Sequence, residues 1–328
     1  MIRKVLKKVY HMMPLSERTR EKIRHKLKPA ETIGAGKIDI YREQAPKLEL
    51  PSPKKVSAVI PNYNYAKYIV ERIDSVLLQT YPLHELIILD DCSTDNSVDV
   101  IQEKIASLRT DFPVKFIKNE RNSGNVFAQW KRAFEEASGD YVWIAEADDS
   151  SNPRFLETVM KAFDDEAVVI SYCESLTMDE ENRILMGNLR PWIDQFGCGK
   201  WDKSYVKDGI EEIAETMCIN NTIANVSSVV FRSGDYSQYI EEAKRFKLAG
   251  DWYVYMRVLE HGKIAYNDQS LNYHRMQQQG LTLSTSHAKE FEEIVYLQNY
   301  ALEHYPVPES VKEKVLERRE RERIRFGL

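Results

Sequence analysis

The stretch Tyr141-Val142-Trp143-Ile144-Ala145-Glu146-Ala147-Asp148-Asp149 begins as an unbroken apolar run and ends in three carboxylates. The run suits a strand covered on both faces. Acids at its carboxyl end stand where open α/β sheets place their ligands. Carboxylates crowded at one strand end repel one another unless a cation joins them, so a divalent metal carrying an anionic ligand is one reading. The other is a strand running into a solvated turn, since Asp is a common turn and cap residue.

Upstream, the chain alternates between strand and helix patterns. Val56 to Ile60, Leu86 to Leu89 and Val114 to Ile117 are apolar runs of strand length. Between them, Ile69, Ile73, Val76 and Leu77 form one helical apolar face. Val98, Ile101, Ile105 and Leu108 form a second, behind a capping Asp95. Val126, Phe127, Trp130 and Phe134 mark a third helix leading into Tyr141. This alternation predicts an α/β fold with a parallel, Rossmann-like sheet. The first strand is followed by Pro61-Asn62-Tyr63-Asn64 and not by G-x-G-x-x-G, which argues against a dinucleotide cofactor.

Downstream, Pro153 opens a helix carrying Phe155, Leu156, Val159 and Phe163, and Val168 to Tyr172 reads as a strand. Residues 173 to 207 read as a long irregular loop whose aromatics, Trp192, Phe196 and Trp201 among them, either stack on sugar rings or pack beneath it. A helix is predicted from Asp208 or Gly209, a strand over Val226 to Phe231, and a helix through Trp252, Tyr255, Met256 and Leu259. Lys263 to Tyr266 and Ser270 to His274 read as short extended segments. A late helix around Phe291 to Leu297 precedes a charged helical tail from Pro308, which reads as an exposed arm or a connection to further material.

The chain has 328 residues, 43% hydrophobic and 30% charged, ordinary for a globular protein and enough for one large domain or two. With no apolar run of bilayer length and no signal peptide, a cytosolic protein is expected. Cys92, Cys173, Cys198 and Cys218 lack metal-ligand spacing and read as reduced, mostly packed thiols. Residues 1 to 28 hold ten Lys or Arg against two Glu, so the formal charge of -5 hides a basic start and an acidic body, which excludes broad nucleic-acid binding. Ile2, Val5, Leu6, Val9 and Met13 fall at helical spacing there. This segment either lies on an anionic membrane surface, placing the protein peripherally at the inner face of the cell membrane, or docks on its own domain. Residues 29 to 55, rich in Pro and Gly, read as a linker.

Three strand ends thus carry polar clusters: Asn62 to Asn64, Asp90-Asp91-Cys92-Ser93-Thr94-Asp95, and Glu146 to Asp149. One cluster is explained by turn chemistry; three in succession, a strand and helix unit apart, predict one cleft with a polar floor. With Asn122-Ser123-Gly124 and Gly139-Asp140-Tyr141, this ordered set resembles family-2 glycosyltransferases of GT-A fold over about Val56 to Arg275. The resemblance implies a donor half over 56 to 152 and an acceptor half over 153 to 283, with C-terminal helices over 284 to 328. It also implies a nucleotide-diphosphate sugar donor of UDP or dTDP type, Mn2+ or Mg2+, inversion at the anomeric carbon, and a cell-surface polysaccharide or lipid-linked glycan as acceptor.

Carried over by position, the resemblance implies donor contacts from Pro61, Tyr63, Asn64, Asp90, Asp91, Asn122, Lys131, Glu146, Ala147 and Arg275. Asp91 matches the acid that accepts the ring N–H of a pyrimidine, while Asp90 alternatively positions the loop. Lys131 has a solvated helix lysine as its second reading. Asp148 matches the last acid of the D-x-D motif and, with His274 and Asp149, makes the implied metal set; Glu146 stands where the family more often has Asp. Asp251, in Gly250-Asp251-Trp252, matches the base that takes the acceptor proton, or else caps its helix. Trp252, Asn225 and Ser227 match the acceptor side, although a buried core Trp252 is the second reading. Gln277 to Thr282 read as a flap. The rival readings are a nucleotidyltransferase, against which Pro61-Asn62-Tyr63-Asn64 counts, and a non-catalytic glycan-binding module, which would be expected to have lost Asp91, Asp148 and Asp251.

Overall fold

The computed structural model describes residues 36–43, 45–194, 199–277 and 286–328. The basic segment 1 to 28 and all of the expected flap beyond Gln277 lie outside the described residues, as does Cys198. Four strands, β1 (Val56–Asn62), β2 (Glu85–Asp90), β3 (Val114–Lys118) and β4 (Tyr141–Ile144), are joined by α1 (Ile69–Leu77), α2 (Ser97–Ser107) and α3 (Val126–Glu136). They pair in parallel in the order β3-β2-β1-β4, the arrangement that right-handed strand-helix-strand crossovers produce. Alternation along each strand divides the interior into two cores. Val142 and Ile144 of β4 join one with Val59, Ile87 and Leu89, while Tyr141, Trp143, Ala145 and Ala147 join the other with Ala58, Ile60, Leu86 and Ile88. A strand covered on both faces therefore reads as a continuous apolar run, and each large side chain so covered contributes about 1.5–3 kcal/mol.

The parallel, Rossmann-like sheet expected from Val56 to Tyr141 is present as β1 to β4, and beyond β4 the sheet becomes mixed. The remaining elements are β5 (Ser150–Ser151), α4 (Phe155–Val159), β6 (Val168–Met178), β7 (Ile184–Met186), α5 (Arg190–Ile193), β8 (Tyr205–Asp208), α6 (Gly209–Glu212), β9 (Val229–Arg232), α7 (Ser237–Ala243), α8 (Gly250–Leu259), β10 (Lys263–Arg275), α9 (His287–His304) and α10 (Glu309–Phe326). The ten-stranded sheet continues as β4-β9-β6-β10-β5, with β9 antiparallel to both β4 and β6, and with β7 and β8 on the flanks. The described part of residues 173 to 207 is not an irregular loop: β6 runs to Met178, then come β7, α5 and β8, while residues 195–198, Phe196 among them, lie outside the described residues. Apolar periodicity misses this extension because buried polar residues build it. Glu174 accepts from Tyr266 Oη at 3.1 Å and Ser175 from Asn272 Nδ2 at 3.0 Å across β6 and β10. The two segments expected at 263 to 274 are one strand interrupted by register shifts around Ser270.

From Gly36 onward the expected linker is docked on the domain. Ile38 and Ile40 are buried with Leu176, Met178 and Tyr273, and Glu43 accepts from Tyr273 Oη at 2.5 Å and from Asn152 Nδ2 at 3.1 Å. The C-terminal helix is no free arm either. Val311, Val315, Arg318, Glu322 and Phe326 form a buried stripe at helical spacing. Arg318 and Glu322 pair at 2.9 Å with side chains only 3% and 1% exposed.

Candidate active site

The loops after β1 and β2 are tied to each other by their own polar side chains. Asp90 accepts from Asn62 Nδ2 at 2.8 Å and from the Ser93 amide and hydroxyl at 2.9 and 2.6 Å. Asn64 accepts from the Thr94 and Asp95 amides at 2.7 and 3.2 Å. Asn64 and Cys92 both adopt positive φ, 60° and 59°, an uncommon conformation for non-glycine residues that these bonds hold in place. Asp91 reaches the loop after β3 and accepts from Asn119 Nδ2 at 2.6 Å and Ser123 Oγ at 2.7 Å, with the Ser123 amide at 3.0 Å. Asn122 donates to the Asp91 carbonyl at 2.9 Å and accepts from the Gly124 amide at 2.7 Å. Tyr63 is 43% exposed above this framework, whereas Pro61 is buried in β1.

The acidic end of β4 is built differently. Glu146 is met by the Trp130 indole N–H at 3.3 Å, and Asp148 by Gln277 Nε2 at 2.5 Å. Burial, then the charge of Asp148, pushes the Glu146 carboxyl up to about 8. Burial, then the charge of Asp149, lifts Asp148 well above the ordinary carboxylate range. Behind them lies Arg72, wholly buried, its guanidinium 5.0 Å from the Trp143 ring and 2.8 Å from Ser151 Oγ. Burial lowers this guanidinium to about 10, opposed by the charges of Asp149, Glu146 and Asp148. Two buried guanidiniums, Arg72 and Arg275, thus oppose three acids, and the imbalance that remains is what a bound cation relieves.

Asp251 stands in the first turn of α8, where it accepts from Asn221 Nδ2 at 3.0 Å and from the Trp252 amide at 2.7 Å. The N-cap is Ala249, so Asp251 is not the cap of this helix. Gly250 lets the turn sit there: a Cβ at that position would stand 2.4 Å from the Phe127 ring. Burial pushes the Asp251 carboxyl up to about 6. On the same helix face, the Tyr255 hydroxyl is fully buried without a partner among the described residues. Burial, then the charges of Asp251 and Glu146, raise it well above the ordinary phenol range. Its ring lies 6.3 Å from Trp130.

Several expected contacts are corrected by their surroundings. Arg275 is unavailable to a diphosphate: its side chain is fully buried, donating to the Asp148 carbonyl at 2.7 Å, Glu71 at 2.9 Å, the Asp179 carbonyl at 3.1 Å and Asn182, over the Tyr68 ring. Asp149 is a brace, accepting from the Arg275 amide and from Asn225 Nδ2, each at 2.9 Å. Asn225 and Ser227 brace the acidic turn in their turn. Asn225 also accepts from Asn272 at 3.0 Å, and Ser227 Oγ accepts the Glu146 amide at 3.1 Å. Trp252 is a core residue, 2% exposed, whose indole donates to the Met217 carbonyl at 2.9 Å. Ala147 packs in the core, and Lys131 pairs with Glu135 at 3.0 Å on the face of α3. Arg72, Trp130, Asn221, Tyr255 and Gln277 join the site without any motif to mark them. Only Arg72 carries a signal, a charge set within the apolar stripe of Ile69, Ile73 and Val76.

Among the described residues no three His, Cys, Asp or Glu side chains converge closely enough to hold a metal alone, so Asp148, Asp149 and His274 are not a preformed cage. The donor chemistry nevertheless fits Mn2+ or Mg2+ bound by one or two carboxylates together with substrate phosphates. Asp148 has a single side-chain donor, and His274 Nδ1 is buried without a partner.

Residues 57–205 match the family described as Glycosyl transferase family 2. TuaG of Bacillus subtilis, a putative teichuronic acid biosynthesis glycosyltransferase, is 29% identical over 211 residues, covering 52% of this chain and 81% of TuaG. Further curated relatives match over 34% and 41% of their own length, so the chain spans well under half of each. Among solved structures, residues 1–349 of Staphylococcus aureus TarS in complex with UDP-GlcNAc superpose with a TM-score of 0.56 at 19% identity, over 82% of this chain and 73% of that one. The mannosyltransferase PcManGT of Pyrobaculum calidifontis, in complex with GDP-Man and Mn2+, superposes with a TM-score of 0.57 at 15% identity, over 99% and 83%.

Proposed function

Because residues 57–205 form a family-2 glycosyltransferase domain and the sheet has the GT-A fold, we propose that this chain moves a sugar from a nucleotide diphosphate to a hydroxyl of a cell-surface or lipid-linked glycan, with inversion. The observation that carries this reading is the acidic end of β4. Its carboxylates are crowded: Glu146 and Asp148 each have one side-chain donor, and burial outweighs the opposing charges of the buried Arg72 and Arg275. Asp148 would hold Mn2+ or Mg2+, with His274, whose Nδ1 is buried without a partner on β10, as a further ligand. A divalent cation bound there supplies neutralisation of the charge on the departing diphosphate.

Around it, the chain's own residues divide the work. Tyr63, exposed beside the Asp90 to Asp95 loop, offers a ring face to the base, and Asp91 with Ser123 and Asn119 holds the shape of the nucleotide platform. Gln277 positions Asp148, and Trp130 positions Glu146. Asp251 takes the proton of the acceptor hydroxyl as it attacks from the face opposite the diphosphate. A carboxyl pushed up to about 6 is ionised at neutral pH yet more basic than an ordinary carboxylate. TuaG and the UDP-GlcNAc complex of TarS favour a UDP-type donor and a surface-polymer acceptor. No helix among the described residues is long and apolar enough to cross a membrane; the basic segment 1 to 28 is our candidate for contact with an anionic lipid surface.

A donor screen by thermal shift tests the reading. UDP-sugars with Mn2+ should raise the melting temperature and chelator should abolish the shift, because a ligand that binds only the folded state stabilises it. No metal-dependent shift with any UDP, dTDP or GDP sugar would refute it.

A further inference from the structure

Asp251 is held from a part of the chain outside the residues that match the family. α9 lies beyond residue 205, where that match ends, and it packs on the rest of the protein through a stripe at helical spacing, Glu293, Leu297, Gln298 and Ala301. Leu297 and Ala301 are core residues. Glu293 and Gln298 are as deeply buried, 3% and 0% exposed, and both direct their polar groups at the segments around Asp251.

One Glu293 oxygen accepts from the Lys247 amide at 2.7 Å, the other from the Leu248 and Ala249 amides at 2.8 and 3.1 Å. These are the three residues before Gly250-Asp251, so a single carboxylate fixes the turn that enters α8, where the helix dipole also favours its charge. Gln298 Nε2 donates to the Ile219 carbonyl at 3.0 Å, two residues before the Asn221 that donates to Asp251 at 3.0 Å. Gln298 Oε1 in turn accepts from Arg319 of α10 at 3.2 Å.

Packing does not call for these side chains, since Leu297 and Ala301 show that apolar residues fill this face. A buried carboxylate is costly, and the ion pair that Glu293 makes offsets little: Lys289 Nζ is 3.9 Å away on a half-exposed side chain. What the two contacts share is Asp251. One holds the backbone that carries it, the other the loop that carries its donor.

We propose that Glu293 and Gln298 are positioning residues for the base, so that α9 sets the place of the Asp251 carboxylate from two sides. The proposal rests on the transferase reading, with Asp251 as base, and adds the element that aims it. Burial holds the Asp251 carboxyl up at about 6, and the charge of Glu293 pushes the same way. Titratable groups face Asp251 from two elements, Glu293 from α9 and Tyr255 from α8 itself.

Release of UDP from UDP-GlcNAc, with Mn2+ present and water as acceptor, tests this on the full chain. Glu293→Gln keeps the size of the side chain but removes its charge and turns an NH2 toward the amide donors. It should lower kcat about 10–10²-fold at unchanged KM for UDP-GlcNAc, as misplacing a reacting group does. It should also move the acid limb of the rate profile below the wild type's value of about 6. Gln298→Met should lower kcat several-fold at unchanged KM and leave the acid limb in place. Neither should reduce the residual rate of Asp251→Asn further, because both act through that carboxylate. Melts at pH 4 and 7 give a reading that needs no turnover: the pH-dependent gap between Asp251 and Asp251→Asn should be smaller with Glu293→Gln than without it. A lower melting temperature with kcat, acid limb and gap all unchanged marks a merely structural brace and overturns the proposal. If Glu293→Gln does not melt cooperatively, Gln298→Met decides by the same split of kcat against KM. Full turnover by Asp251→Asn would instead remove the base reading, independently of Glu293.

Discussion

Asp90 and Asp91 at the end of β2, and Glu146 and Asp148 at the end of β4, are acids in the same topological position with opposite surroundings. Around the first pair, side-chain and backbone donors close on the carboxylate oxygens; Asp91 alone meets Asn119 and both donor groups of Ser123. Around the second pair each acid has one side-chain donor, and burial with the charge of a neighbouring acid, Asp148 for Glu146 and Asp149 for Asp148, raises both. A carboxylate ringed by donors shapes a loop; one left short of them waits for a cation. The residue type is the same, and the donor count separates scaffold from chemistry.

The comparison is open to direct challenge, beginning where the effect is largest. Asp148→Asn should cut metal-dependent transfer by about 10³-fold while the variant melts cooperatively, since removing one group that stabilises transition-state charge typically has this effect. Turnover above a tenth of wild type would break the assignment. Asp251→Asn should lower kcat by about 10²–10⁴-fold with donor affinity kept, and the wild-type rate should rise with pH through about 6 as the carboxyl deprotonates.

Asp251 also carries a stability signature. Its carboxyl is raised in the folded state above its ordinary 3.8, so the folded state holds the proton more tightly and loses stability as pH climbs from about 4 to about 6. Against Asp251→Asn the wild type should therefore lose about 1–2 kcal/mol across that window, partial exposure discounted. Thermal melts at pH 4, 5 and 7 read this out, and a gap that does not change with pH would contradict the burial of this acid.

Asp91→Asn sharpens the scaffold side. Losing the acceptor for Ser123 should cost about 1–3 kcal/mol in stability, read by denaturant unfolding. If stability held and only UDP affinity fell, Asp91 would be a base reader and not a brace. The smallest effect is expected for Tyr255→Phe. Removing a buried hydroxyl without a partner should leave stability unchanged or raise it by up to about 1 kcal/mol, and a fall in kcat at unchanged donor affinity would make that phenol a positioning group.

Much of the stretch from β1 to β4 is legible in the amino-acid sequence, because β1, β2 and β4 are buried on both faces and so read as apolar runs separated by helical stripes. Val56, Leu86, Val114 and Tyr141 each stand at or next to the start of a strand, close to where the pattern places it. The part of the chain after β4 is harder to read. β6 and β10 carry Glu174, Ser175, Thr177 and Asn272 in their buried stretches, with Ser175 and Asn272 paired across strands, and no periodicity announces a polar pair whose members are nearly a hundred residues apart. Arg275 shows the same limit: its motif position suggests a diphosphate ligand, and the fold buries the guanidinium among Glu71, Asn182 and two carbonyls.

By itself the sequence determined the order of strands and helices in the first half, the three polar strand ends and the acids available to the chemistry, since these follow from local pattern and residue type. Tertiary structure alone decided which acids are braces and which are left unsatisfied, that the sheet becomes mixed after β4, and that Arg72 is buried near the acidic turn. The physical reason is that hydrogen-bond satisfaction and burial belong to pairs of residues, and the partners that set the character of Glu146, Asp148 and Asp251 arrive from Trp130, Gln277 and Asn221, each on a different part of the chain.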